Sequence, residues 1–175
     1  MRGLSRVQDD GSDMFAHQFN VLASNSKTGP TTFWSSGASN LYKISVRQGE
    51  VVMTSKMLIA DDSAIVRRGI REILSTQSEF EVVGEATNFN ETDRLIKALN
   101  PDVVIMDIHM PGENTAISNE FISRLRCSKL LAISIWGDEP TRMLAEVLGA
   151  SILLDKANLR ATLIPTVTEL CQKPV

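Results

Sequence analysis

The sequence predicts an α/β protein over residues 53–175: a doubly wound sheet of five parallel strands with helices on both faces. Three observations predict it. Short runs that are apolar throughout alternate with segments whose apolar residues recur every third or fourth position. The apolar runs lack the in–out alternation of a sheet with one wet face, so they read as strands covered on both sides. Strand and helix then alternate five times in about 120 residues, which fits a flavodoxin-like (βα)5 sandwich with strand order 2-1-3-4-5.

The elements follow in order. MLIADD is a short apolar run ending in Asp61 and Asp62. SAIVRRGIREIL places Ile65/Val66, Ile70 and Ile73/Leu74 on one helical face, with Ser63 as N-cap. FEVVGEA is the second strand, and ETDRLIKALN a helix ended by Asn100–Pro101. In DVVIMD the apolar run Val103–Met106 ends in Asp107, and NEFISRLR is the next helix. KLLAISI is the fourth strand. EPTRMLAEVLGA is a helix with Pro140 in its first turn and Gly149–Ala150 as its terminator. SILLDK is the last strand. LRATLIPTVTEL is the final helix, which Pro165 is expected to bend or shorten.

Residues 1–52 differ in character. Ser, Gly, Thr, Asn and Pro supply 20 of those 52 positions, and runs such as SNSKTGPTT and SSGASN show no helical or strand period. The segment reads as a low-complexity or disordered extension, although it carries Phe15, Phe19, Phe33, Trp34 and Tyr42. An alternative is that translation begins at Met53 or Met57.

Composition narrows the function. With 18 basic and 21 acidic residues, net charge −3, the chain has no cationic excess to track nucleic acid or an anionic membrane. No apolar run approaches the roughly 20 residues that span a bilayer. The start lacks the apolar core of a secretory signal. Cys127 and Cys171 lack metal-ligand spacing and read as reduced thiols in a cytoplasmic setting.

In a doubly wound sheet the site lies beyond the carboxyl ends of the strands. Asp61 and Asp62 end the first strand, Asp107 the third, Ser134 lies near the end of the fourth, and Asp155 and Lys156 end the fifth. Any one of these is most simply a polar residue where a strand meets water. Together they are not, because clustered carboxylates repel unless a cation sits among them. One or two carboxylates, water and phosphate oxygens are what Mg²⁺ prefers.

At these residues the chain resembles a known family. IADDS (59–63) and DVVIMDIHMPG (102–112), with Ser134 and Lys156 downstream, resemble the receiver domain of bacterial two-component response regulators over roughly residues 56–172. The resemblance implies that Asp107 is the phosphoacceptor, receiving its phosphoryl group from a histidine kinase or a histidine phosphotransfer protein. It implies that Asp62 binds Mg²⁺ with Asp61 assisting, and that the backbone carbonyl of His109 completes the shell. Lys156 would pair with a phosphoryl oxygen, Ser134 would close on the phosphoryl group, and Pro111 would shape the acceptor loop. The His109 side chain is expected to be exposed, Asp155 a solvated neighbour, and Met106 and Met110 core residues.

The chain also departs from the family. Leu153 stands where many receivers carry an aromatic residue three positions before the lysine. Ile135 and Trp136 follow the hydroxyl, where a small residue is common, and their bulk is expected to slow loss of the phosphoryl group. PGENTAISNEF lacks the usual Asp-Gly entry to the third helix. The sequence closes soon after the fifth helix, so the expected output is protein–protein contact through the face of the fourth helix, fifth strand and fifth helix, toward an unidentified downstream protein or a second copy. Direct contact with nucleic acid or membrane is not expected, nor enzymatic activity beyond self-phosphorylation and its reversal.

The other readings are a transcription regulator lacking its DNA-binding half, an aspartyl phosphatase and a flavin binder. A phosphatase of the haloacid dehalogenase kind needs a second Asp at position 109, where this chain has His. A flavin phosphate would be repelled by Asp61 and Asp62.

Overall fold

A computed structural model describes residues 31–36, 41–47, 50–111 and 117–172. The chain divides into two compact units after Met53. In the first, β1 (Thr31–Ser36) and β2 (Leu41–Arg47) pair antiparallel, from Thr31 opposite Val46 to Ser36 opposite Leu41. These strands lie inside the segment expected to be disordered, and here the structure differs from that expectation. The composition of 52 residues averages over YKISVR, in which apolar and polar residues alternate with the period of a strand. Residues 1–30 lie outside the described residues.

The second unit is built on a parallel sheet. Its strands are β3 (Glu50–Ala60, which enters this unit at Thr54), β4 (Phe80–Ala86), β5 (Val103–Asp107), β6 (Lys129–Ser134) and β7 (Ile152–Asp155). They lie side by side as β4-β3-β5-β6-β7, the order 2-1-3-4-5 counted along this unit. Five helices connect or follow them: α1 (Ala64–Leu74), α2 (Phe89–Leu99), α3 (Asn119–Leu125), α4 (Glu139–Leu148) and α5 (Leu159–Gln172).

The sheet divides two cores. One gathers Leu58, Val104, Met106 and Ala132 with Phe89 and Ile96 of α2, Phe121 and Leu125 of α3 and Leu148 of α4. The other gathers Met57, Ile59, Ile105 and Ile133 with Ile70 and Leu74 of α1 and Leu163 and Val167 of α5. Alternate residues of β5 thus feed opposite cores, and all five are buried, which is why that strand is apolar on both faces. Met106 and Met110 are core residues, as expected.

The helix ends follow local chemistry. Asn88, Ser118 and Asp138 cap α2, α3 and α4 by accepting from the N–H groups of Glu91, Phe121 and Thr141. Gly149 ends α4 at φ 80°, a left-handed conformation that favours glycine. Ser63 occupies the N-cap of α1 but makes no side-chain cap bond. Pro165 does not shorten α5, which continues to Gln172. Pro165 faces solvent, where water can satisfy the carbonyl its missing N–H leaves open.

Candidate functional site

The carboxyl ends of β3, β5 and β7 lie within side-chain reach of one another. Strand register makes this so: Ala60 pairs with Met106 and Asp107 with Ile133, so the residues just past β3 and at the end of β5 leave the sheet together. Carboxylate oxygens of Asp61, Asp62 and Asp107 lie within 4.8 Å of one another. Asp61 is fully buried, Asp107 is 6% exposed and Asp62 is open to solvent.

Lys156 reaches into this cluster from the end of β7. Its Nζ stands 2.6 Å from Asp107 Oδ2 and 2.7 Å from Asp61 Oδ2. The first contact is a hydrogen bond. The second is an ion pair off the hydrogen-bonding axis, so Asp61 Oδ2 is buried without an aligned donor. The other oxygens are held by backbone: Ser63 N–H donates to Asp61 Oδ1 at 2.8 Å, and His109 N–H to Asp107 Oδ1 at 2.9 Å.

The electrostatics follow from burial. It is the largest influence on Asp61 and holds its carboxyl above the ordinary carboxylate value, against the Lys156 contact and the Ser63 N–H. Burial also acts to lower the Lys156 ammonium, but its contacts with Asp107 and Asp61 together outweigh that and hold it above the ordinary lysine value.

These residues fit a hard divalent cation. The donor set is all oxygen, three carboxylates converge, and one buried carboxylate oxygen lacks an aligned donor. Asp61, Asp62 and Asp107 are the side chains that would hold the ion.

Ser134 is buried at the end of β6, and its Oγ accepts from the N–H of Trp136 at 3.0 Å. The His109 side chain departs from expectation: it is only partly exposed. Its Nε2 lies 3.2 Å from Thr141 Oγ1 on α4, and its ring meets Trp136 edge-on with centroids 4.9 Å apart. A ring two residues beyond Asp107 gains more from these partners than from water. Asp155 is exposed and accepts from Ala157 N–H, opening the short 3-10 turn Lys156–Asn158. Ile135 and Trp136 are 64% and 52% exposed. Leu153 packs on the core beside α4.

Arg67 and Thr141 were not legible as site neighbours. Arg67 on α1 donates to the carbonyl oxygens of Asp61 and Asp62, and no sequence pattern marks a side chain that bonds backbone.

The chain is similar to known proteins. Residues 57–168 match the model of the response regulator receiver domain family. The chain is 35% identical over 101 residues to a protein-glutamate methylesterase/protein-glutamine glutaminase from Photobacterium profundum, covering 58% of this chain and 26% of that protein. It is 36% identical over 85 residues to the transcriptional regulatory protein DegU from Brevibacillus brevis, covering 48% of this chain and 36% of that protein. The chain thus spans between about a quarter and about a third of these two relatives. Among solved structures, the signal receiver domain of the response regulator NarL from Mycobacterium tuberculosis aligns with TM-score 0.61 and 27% identity, covering 69% of this chain and 98% of that one. The response regulator domain of Thermotoga maritima CheB shares the fold, with TM-score 0.60 and 23% identity over 69% of this chain and 99% of that one.

Proposed function

The chain belongs to the response regulator receiver domain family, and from that premise we propose that it is a phosphoacceptor switch in a two-component phosphorelay. Asp107 takes a phosphoryl group from a histidine kinase or histidine phosphotransfer protein, and the altered surface signals by protein–protein contact. The observation that carries this reading is the convergence of three carboxylates with Lys156 at the end of β5.

In the forward step an Asp107 carboxylate oxygen attacks phosphorus, the P–N bond to the donor histidine breaks, and the ring, already protonated on its other nitrogen, takes the bonding pair and leaves as neutral imidazole. The product is an acyl phosphate on Asp107. Bound Mg²⁺, held by Asp61, Asp62 and Asp107 with the carbonyl of His109, would neutralise charge on the phosphoryl oxygens. Lys156 starts 2.6 Å from the acceptor carboxylate and pairs with a phosphoryl oxygen once the transfer is complete. The N–H of His109 holds the second acceptor oxygen and so fixes the carboxylate plane. Ser134 exchanges its bond from Trp136 N–H for the phosphoryl group, which draws the β6–α4 loop inward.

The receiver supplies no turnover of its own beyond gaining and losing the phosphoryl group. Among the described residues no helix is long and apolar enough to cross a membrane, and the proposed setting is the cytoplasm. The output face is that of α4, β7 and α5, open to a downstream protein or a second copy. A second reading is the receiver part of a DNA-binding transcription regulator, favoured by the likeness to DegU and the NarL receiver.

Incubation with Mg²⁺ and a small acyl-phosphate donor tests the proposal. The intact mass is expected to rise by one phosphoryl group with Mg²⁺, and not with chelator or in Asp107→Asn. A gain that ignores either would contradict it.

A further inference from the structure

Arg67 is a site neighbour that the proposed transfer does not use. It stands on α1 with its side chain only 14% exposed. Its Nη1 donates to the carbonyl oxygens of Asp61 at 2.7 Å and Asp62 at 3.2 Å. Its Nε donates to Glu85 Oε2 at 3.1 Å, on the penultimate residue of β4. The other Glu85 oxygen, Oε1, pairs with Arg71 at 2.5 Å.

The arrangement has a physical consequence. An arginine beside a cation site ordinarily competes with the cation by its charge. Here Glu85, shared with Arg71, offsets part of that charge, and the guanidinium acts on the turn through hydrogen bonds to backbone. The two carbonyls it holds belong to the same residues whose carboxylates form the cradle. A planar fork anchored at one end by Glu85 fixes the backbone from which both side chains depart. Loose carboxylates would repel one another and swing apart, the exposed Asp62 first.

We infer that Arg67 is a positioning residue of the divalent-cation site, holding the Asp61–Asp62 turn so that both carboxylates can share one ion with Asp107, and that Glu85 orients it. This deepens, and rests on, the reading of the acidic cluster as a Mg²⁺ cradle. Outer partners of metal ligands typically contribute about 10- to 100-fold in metal affinity.

Calorimetric titration of MgCl₂ into the full chain tests the inference without any phosphoryl donor. Arg67→Ala is expected to weaken the Mg²⁺ Kd by about 10- to 100-fold. Arg67→Lys keeps the charge but cannot fork across the carbonyls and Glu85, and is expected to lie between. Arg71→Ala removes the other Glu85 partner and touches neither carbonyl, so its Kd is expected to match wild type. Thermal unfolding in chelator accompanies each titration. A purely structural salt bridge would weaken Arg67→Ala and Arg71→Ala alike in both measurements. Wild-type affinity in the Arg67 variants, or an equal loss in Arg71→Ala, overturns the inference while wild-type binding leaves the cradle reading standing. Absence of Mg²⁺ binding by wild type overturns both. Should Arg67→Ala fail to fold, Arg67→Lys decides.

Discussion

Asp61 is buried as an acid in a place that disfavours its charge. Its folded-state carboxyl titrates above the unfolded value, chiefly through burial. Between those two values the folded carboxyl binds more protons than the unfolded one, so its contribution to stability is greatest at low pH and falls as pH rises through the folded value. Lys156 works in the opposite sense. Its raised folded value means that its contribution is fully present below the unfolded lysine pKa and is lost only as pH rises through the folded one. At neutral pH the two groups therefore act in opposite senses. Asp61→Asn is expected to raise the melting temperature in metal-free buffer at pH 7, on the order of 3 °C for each kcal/mol released, while losing the stabilisation that Mg²⁺ gives wild type. Differential scanning calorimetry with and without Mg²⁺ measures both; a lower melting temperature in the variant contradicts the account. The carboxylates and Lys156 were legible because strand ends announce themselves in sequence. The packing of His109 against Thr141 and Trp136 was not, because it joins the loop after β5 to the loop after β6 and the first turn of α4, with α3 and β6 between them in sequence.

Among the elements, β4 and α5 show where periodicity suffices and where it fails. Both were legible from their apolar pattern. The register shift where β3 meets β4 was not: Met57 pairs with Val82 but Leu58 with Gly84, leaving one residue of β4 unmatched. Nor could a sequence show why a glycine sits in that strand. A Cβ on Gly84 would lie 2.7 Å from Leu99 Cδ1 and 3.2 Å from Leu58 Cδ1. The missing side chain lets α2 close on the sheet. Gly84→Val is expected to cost about 1–3 kcal/mol by overpacking, read as a lower denaturation midpoint in urea; a midpoint at or above wild type would show that the leucines yield freely. In α5 the buried stripe Leu159, Leu163, Val167 and Leu170 holds the helix through Pro165. Because Pro165 faces solvent, Pro165→Ala restores a donor without disturbing that stripe. It is expected to stabilise by about 1–3 kcal/mol, checked by thermal melting, and an unchanged melt would mean that α5 had already adapted. The pair β1–β2 escaped sequence reasoning because a window of polar residues diluted two short strands.

At the scale of the whole molecule, the parallel sheet does two things at once. It buries its central apolar strands between two helical layers, and it delivers polar strand ends to one edge. The fold was legible because both tasks leave marks in the sequence: apolar runs for the first, terminal carboxylates for the second. The proposed output face leaves no such mark, since exposed Met143 and Val147 on α4 are ordinary surface residues taken singly. The central claim is that Asp107 itself carries the phosphoryl group. Borohydride reduces an aspartyl phosphate to homoserine, and peptide mass spectrometry then locates the changed residue. After treatment with Mg²⁺ and an acyl-phosphate donor, the account predicts homoserine at position 107 and at no other aspartate. Homoserine elsewhere, or an intact Asp107 after full treatment, would contradict it.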